Sequence, residues 1–275
     1  MYSTPPLISV CMPTHNGEKF IGEALISIKN QTYKNIEVVI SDDNSSDGTL
    51  LLCRQFKNQV DFPVYISNHV PCGIGANWNN CIKHAKGEYI KLLFQDDLLL
   101  ANTLERQLYD IKKSNFKAIC SKRIIIDENS EEVLDGEWIE KYGNLQQNLS
   151  LPEQEVVILE KNIFNLINDY TYNYFGEPDT FLYHNSVFKD IGLFNNDYKQ
   201  IIDLEFNYRL FKRFPILHQK DKLLKFRIHD DQESKKNQKL NLPEYDKLRK
   251  WVKHVFFWHL SRSEKLKIIK NRFLI

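Results

Sequence analysis

Between Leu7 and Phe94 the chain alternates short apolar, β-branched runs with segments of helical period, and a polar cluster follows three of the runs. This alternation constrains the fold most, because βαβα order implies a parallel sheet with right-handed crossovers. Leu7 to Met12 reads as the first strand, closed by Pro13 and the turn Thr14-His15-Asn16-Gly17. Phe20, Ile21, Ala24, Leu25 and Ile28 then recur at three- and four-residue spacing, which predicts a helix with one face on the sheet and Glu18, Lys19 and Lys29 in water. The pattern returns as strand Ile36 to Ile40, helix Asp47 to Phe56, strand Val64 to Ser67, helix Ala76 to Ala85 and strand Tyr89 to Phe94.

Open parallel sheets bind ligands beyond the carboxyl ends of their strands, where loops converge and helix N-termini direct partial positive charge inward. The polar clusters fall there: Pro13-Thr14-His15-Asn16, then Ser41 to Gly48, then Gln95-Asp96-Asp97. Adjacent carboxylates at a strand end suit magnesium or manganese, or a ribose hydroxyl. Asp42-Asp43 can accept hydrogen bonds from a base or a ribose. Taken singly, each cluster is equally an ordinary turn or helix cap. A calcium loop from Asp42 is excluded, since no Glu stands at its twelfth position.

Beyond a strand at Lys117 to Asp127, Glu128 to Gln154 loses periodicity and reads as a surface excursion. Helical patterns resume at Lys161 to Ile167 and Ile201 to Phe214, followed by an apolar run ending Phe226-Arg227-Ile228-His229. Glu244 to Ile275 is basic and amphipathic, with nine Lys or Arg against three acids.

Composition removes several classes of function. Lys+Arg at 37 against Asp+Glu at 36 leaves a formal charge of +1, so there is no global attraction to nucleic acid. The five cysteines are odd in number and lack C-x-x-C spacing, which fits a reducing compartment. No basic-then-apolar leader and no run near the roughly 20 apolar residues of a membrane span is present, and the chain is read as cytoplasmic.

Ile8-Ser9-Val10 to Asn16, the run Ile40-Ser41-Asp42-Asp43-Asn44-Ser45-Ser46-Asp47-Gly48-Thr49, Lys86-Gly87-Glu88-Tyr89-Ile90 and Asp96-Asp97 resemble, in order and spacing, the inverting glycosyltransferases of family 2. The resemblance is strong to about residue 110 and continues loosely to about 230. It implies a GT-A fold: an α/β, Rossmann-like, mostly parallel sheet flanked by helices, with an α+β acceptor-side second half and a C-terminal helical segment. The expected division is a domain over 1–235, comprising a nucleotide-sugar half (1–115) and an acceptor half (116–235), then the basic segment 236–275.

The resemblance further implies that Pro13, Thr14, Asn16, Glu18, Asp43, Asn77 and Asp96 line the nucleotide sugar. Asp43 would face the base. A divalent metal, Mn2+ or Mg2+, would be held by Asp97 and Asp96 with His229, and Asp97 is preferred as the principal ligand. Phe94 stands where the family often has a further Asp. Inversion needs a base for the acceptor hydroxyl. Asp203, in a late acidic motif whose usual preceding Glu is Ile202, is the first choice and Glu205 the second. By its residues alone Asp203 is equally an acid in the first turn of a helix, His229 a strand-end residue and Trp78 a core indole. Gly176-Glu177-Pro178-Asp179-Thr180 falls where relatives shape the acceptor pocket.

The implied reaction moves a sugar from a nucleotide-diphosphate donor, UDP first among them, to a hydroxyl of a saccharide or lipid-diphosphate-linked saccharide in surface-polysaccharide synthesis. The alternatives are a metal-dependent nucleotidyltransferase, disfavoured because no Gly-rich phosphate loop lies between Leu7 and Lys19, and a non-catalytic nucleotide-sugar-binding protein, disfavoured by the joint retention of Asp96, Asp97 and Asp203. The basic, aromatic C-terminal stretch suits peripheral contact with the inner membrane face, a homodimer contact, or a lone packed helix pair.

Overall fold

The computed structural model describes residues 4–167, 169–232, 235 and 242–272. Its centre is a 9-stranded sheet ordered β3-β2-β1-β4-β8-β6-β9-β5, with β7 added on β9. The first four strands are β1 (Ile8–Thr14), β2 (Ile36–Asp42), β3 (Val64–Asn68) and β4 (Tyr89–Leu92). They are parallel and joined through α1 (Ile21–Lys29), α2 (Thr49–Lys57) and α3 (Ile74–His84). Every residue of β1 and β2 is buried, because helices cover both faces. For that reason these strands read as continuous apolar runs and not as alternation.

Past β4 the chain adds β5 (Leu98–Leu99), α4 (Thr103–Ser114), β6 (Ala118–Ile126), α5 (Glu137–Tyr142), β7 (Val156–Leu159), β8 (Phe181–His184), α6 (Ser186–Ile191), α7 (Ile202–Arg213) and β9 (Ile216–Arg227). β8 is antiparallel to both β4 and β6, whereas β6 and β9 run parallel with a register irregularity at Lys122. One sheet therefore passes through both halves of the chain, and most of its paired length is parallel.

Helices α1, α2 and α4 cover one face with Ile21, Leu25, Ile28, Phe56, Leu104 and Leu108. Helices α3, α6 and α7 cover the other with Ile82, Val187, Phe188, Phe206 and Phe211. That second layer is completed by α8 (Glu244–Val255), whose Leu248 and Val252, with Phe256 and Leu260 after it, are buried. Phe164 and Phe256 stack at 4.3 Å. The apolar stripe of the basic C-terminal segment thus belongs to the core, and the packed alternative describes it. A last helix, α9 (Arg262–Arg272), follows; among the described residues no helix is long and apolar enough to cross a membrane.

Two expectations change. The segment 128–154 is more than a surface excursion, because it contains α5, buries Leu145 and Leu149, and stacks Trp138 against Phe226 at 6.2 Å. The helix expected at 161–167 is a 3-10 turn over Lys161–Asn165. The segment 236–241, at which the expected C-terminal segment begins, lies outside the described residues.

Candidate functional site

The carboxyl ends of β1 and β2 are tied together before any ligand arrives. Thr14 donates its hydroxyl to Asp42 at 2.9 Å, and Asp42 also accepts from the Ser45 N–H at 2.9 Å and the Ser45 hydroxyl at 2.6 Å. Asp42 is fully buried and holds the loop. Asn16, at φ 47°, accepts from the Ser46 N–H at 2.8 Å, and Glu18 accepts from the Gly48 N–H at 2.8 Å. Their side chains knit the β1–α1 loop to the β2–α2 loop. Pro13 is buried within β1, opposite Ser41. Asn77 donates to the Thr14 carbonyl at 3.1 Å and fixes α3 against β1.

Asp43 is the acid these ties leave at the rim. Its carboxylate accepts from the Cys72 N–H at 2.7 Å and the Gly73 N–H at 3.0 Å. Gly73 adopts φ +83°, a conformation that costs glycine little and side-chain-bearing residues more. His69 faces the same carboxylate, with Nδ1 3.4 Å from Oδ1.

The neighbouring acids after β4 point in opposite directions. Asp96 Oδ2 lies 3.1 Å from His229 Nε2, and the His229 ring packs on Phe20 at 4.8 Å. Asp97, 2% exposed, turns inward, where its Oδ1 accepts from the Arg227 N–H at 2.7 Å. There it also meets Asp179. Burial, and then the charge of Asp179, hold the Asp97 carboxyl well above the usual carboxylate range, and burial pushes Asp179 up to about 6. Lys91, buried beside them and bonded to Gln107 at 2.9 Å, is drawn down to about 7 by burial. Asp97 therefore belongs to a buried polar cluster, and Asp96 is the acid paired with His229. Of the two carboxylates expected at a metal, that of Asp96 faces His229 and that of Asp97 faces the Arg227 N–H.

Arg227 holds this corner. Its fully buried guanidinium donates to the carbonyls of Asp96 at 2.9 Å and Asp127 at 3.0 Å and to Glu23 at 3.1 Å, over the Phe20 ring. Sequence reasoning gave Arg227 no role of its own; its place two residues before His229 in an apolar run was the available signal. A divalent ion fits at Asp96 and His229. One carboxylate oxygen and one imidazole nitrogen about 3 Å apart can occupy neighbouring positions of an octahedron with metal–ligand bonds of 2.0–2.1 Å. His229 Nδ1 is buried without a hydrogen-bond partner, which leaves Nε2 as the nitrogen facing Asp96.

The segment expected to shape the acceptor pocket lies within residues 173–180, which a local hydrogen-bond network holds. Asn173 donates to the Gly176 carbonyl at 3.0 Å and to Asp203 Oδ2 at 3.1 Å, and Asn207 donates to the Gly176 carbonyl at 2.9 Å. Gly176 has φ +117°, and a Cβ there would lie 2.5 Å from the Thr180 hydroxyl. Glu177 pairs with Arg123 at 3.0 Å. One short segment thus runs from Asp97, through Asp179 and Glu177, to Asp203. Burial, against the Leu204 N–H and with help from the Glu177 charge, brings the Asp203 carboxyl up to about 7.

Glu205 is engaged elsewhere. Arg209 grips both its oxygens, at 2.7 and 2.9 Å, and donates onward to the carbonyls of Ile191 at 2.6 Å and Leu193 at 2.8 Å. This i,i+4 pair anchors α7 to the loop after α6, whereas Asp203 is held by Asn173 and not by an arginine. Trp78 lies between Phe94 at 4.8 Å and Phe194 at 5.1 Å, a packing role.

The profile of glycosyl transferase family 2 matches residues 9–192. An uncharacterized glycosyltransferase of Rickettsia typhi is 28% identical over 247 residues, covering 88% of this chain and 70% of that protein. The Escherichia coli enzyme WfgD, named as a UDP-Glc:α-D-GlcNAc-diphosphoundecaprenol β-1,3-glucosyltransferase, is 29% identical over 188 residues, covering 67% of this chain and 70% of its own. Among solved structures, residues 1–349 of Staphylococcus aureus TarS with UDP-GlcNAc superpose with a TM-score of 0.67 at 19% identity, over 90% of this chain and 66% of that one. The chain spans 36% of the longer TarS structure. The fold is the GT-A arrangement of these enzymes.

Proposed function

The chain belongs to glycosyltransferase family 2, and from that premise we propose that it transfers a sugar, with inversion, from a UDP-linked donor to a hydroxyl of a lipid-diphosphate-linked saccharide. The relatives support the class of reactants: WfgD is named for a UDP-glucose donor and an undecaprenyl-diphosphate acceptor, and TarS was solved with UDP-GlcNAc. Surface-polysaccharide synthesis is the setting that follows.

In this reading the base lies against Asp43, whose carboxylate is already oriented by two backbone N–H groups and accepts a hydrogen bond from a base N–H. Thr14, Asn16, Glu18 and Asn77 hold the walls of that pocket. The diphosphate lies toward Asp96 and His229. A divalent ion bound by these two residues would offset the negative charge that grows on the departing diphosphate. Asp203 takes the proton of the acceptor hydroxyl as its oxygen attacks the anomeric carbon opposite the leaving group. The new glycosidic C–O bond forms, the bond to the diphosphate breaks, and the proton remains on Asp203 until solvent removes it. The buried Asp97–Asp179–Lys91 cluster keeps the Asp96 turn and the 176–180 segment in register.

The observation that carries the proposal is Asp203 itself: an acid titrating at about 7, linked by one short segment to the Asp96–His229 corner and left unclaimed by Arg209. A base is most effective when its pKa lies near the working pH. The test is to incubate the protein and Mn2+ with UDP-sugars and undecaprenyl-diphosphate monosaccharides, following UDP release and reading the product's anomeric configuration by NMR. A β-linked product from an α-linked donor is expected. A retained configuration overturns inversion, and no transfer from any donor overturns the reaction.

Contact with a membrane face, if the acceptor is lipid-linked, falls to what the core leaves outside. Trp258 is 81% exposed, and Lys265, Lys267 and Lys270 follow it on α9. Exposed indoles and lysines suit the interface of an anionic bilayer.

A further inference from the structure

We propose that Asp43, His69 and Cys72 form a binding site for a soft divalent cation, zinc above all, at the mouth of the pocket that the proposed function gives to the nucleobase. The three side chains come from the end of β2 and from the loop between β3 and α3. Cys72 is the exposed thiol among the chain's free cysteines. One ligand atom from each residue lies within 4.8 Å of the others.

The separations suit the metal. Tetrahedral zinc, with bonds of about 2.0–2.2 Å to N and O and about 2.3 Å to S, requires about 3.4 Å between a nitrogen and an oxygen ligand and about 3.6 Å between a nitrogen and a sulfur. His69 Nδ1 lies 3.4 Å from Asp43 Oδ1 and 3.6 Å from Cys72 Sγ. The remaining edge, oxygen to sulfur, is no longer than 4.8 Å.

The surroundings of the imidazole also call for a cation. Asn77 donates its NH2 to the Thr14 carbonyl, so its Oδ1 faces His69 Nε2 at 3.3 Å, and an amide oxygen only accepts. Nε2 therefore carries the hydrogen, and Ser41 Oγ lies 2.9 Å from the same nitrogen. This arrangement turns the other ring nitrogen toward Asp43 Oδ1 at 3.4 Å and the Val70 carbonyl at 3.0 Å. A lone pair at Nδ1 facing two oxygens is stabilised by a cation placed among them, and the Cys72 Sγ at 3.6 Å supplies either an S–H donor to that lone pair or, as thiolate, a third ligand beside it. A histidine ligand oriented through its second nitrogen is the usual supporting arrangement of metal sites. Asp43 keeps lone pairs free for the ion, since its two backbone donors occupy two of about four acceptor positions.

A cation here would occupy the carboxylate that the proposed function assigns to the base, so zinc and nucleotide would compete. That clause rests on the proposed function, whereas the site itself does not. Sequence spacing concealed it, because Asp43 lies 29 residues before Cys72 and the chain has no C-x-x-C.

The test is titration of the full chain with Co2+, watching for the thiolate-to-cobalt charge-transfer band in the near ultraviolet, followed by displacement with Zn2+. Cobalt held by Asp96 and His229 gives no such band. The expected result is one thiolate-bound cobalt per chain, with the band lost in Cys72→Ser and zinc affinity lowered at least about tenfold. Unchanged far-ultraviolet dichroism shows that the variant is folded. Absence of the band, or its persistence in Cys72→Ser, overturns the site. Saturating UDP is expected to weaken cobalt binding. If UDP binds by calorimetry and leaves the band unchanged, the competition is overturned, while failure of UDP to bind at all counts against the proposed function and leaves the cobalt result readable.

Discussion

At the scale of single residues, direction decides role, and direction is what a linear sequence conceals. Asp96 and Asp97 are neighbours of the same chemistry, yet one meets His229 and the other is buried against Asp179 and the Arg227 N–H. Asp203 and Glu205 share a motif, and only Glu205 is held by an arginine. The signal for that pairing, Glu205 and Arg209 four apart in a helical pattern, is present in the sequence and is not used in ranking Glu205 second as base. Asp203→Asn is expected to lower kcat by about 10²–10⁴ and leave UDP binding within about twofold. The parent enzyme's kcat should rise with pH through about 7, because only the ionised carboxyl accepts the proton. The stability effect has the opposite sense. A carboxyl raised in the fold binds a proton that the unfolded chain has already lost, so its contribution is present below about pH 4 and disappears as pH rises through about 7. Asp203→Asn, which cannot ionise, should therefore melt above the parent at pH 8 and gain less at pH 4. Thermal unfolding at the two pH values measures this, and a variant that melts lower at pH 8 than at pH 4, relative to the parent, contradicts it.

At the scale of elements, the β1-to-β4 half was legible because each unit is local: an apolar run, a polar turn, then a helix of clear period. Boundaries moved by a few residues; β2 continues to Asp42 and α3 begins at Ile74. The second half was less legible for a physical reason. β6 pairs with β9 about 100 residues later, and β9 carries His218, Gln219 and Arg227 fully buried, so neither its partner nor its burial follows from an apolar pattern. The C-terminal segment is a similar case: amphipathicity announces an apolar face and does not say what covers it. In the structure Phe256 is covered by Phe164, Tyr208 and Phe211. Phe256→Ala is accordingly expected to cost about 3–5 kcal/mol in denaturant unfolding, whereas a loss under 1 kcal/mol would mean the segment is only loosely attached. Trp258→Ala should leave stability within about 0.5 kcal/mol and reduce sedimentation with anionic vesicles, and unchanged partition would remove the membrane contact.

At the scale of the whole molecule, one sheet carries two tasks on one edge of its strands. The parallel strands bring the Asp43 pocket and the Asp96 turn to the same side, and the strands added beyond β4 bring β9, Arg227 and His229 back to meet that turn. The segment 173–180, which the proposed function gives to the acceptor, leads directly into β8, which inserts between β4 and β6 and ties Asp203's support to the β1-to-β4 half. The central claim is that Asp43, Asp96 and His229 form one nucleotide-diphosphate and metal site. It is tested most directly by calorimetric titration of UDP, GDP and TDP into the protein with and without Mn2+, for the parent and for Asp96→Ala. The account predicts Mn2+-dependent binding of one diphosphate, UDP, weakened at least about tenfold in the variant. Binding of none of the three, or binding indifferent to both Mn2+ and Asp96, would contradict it.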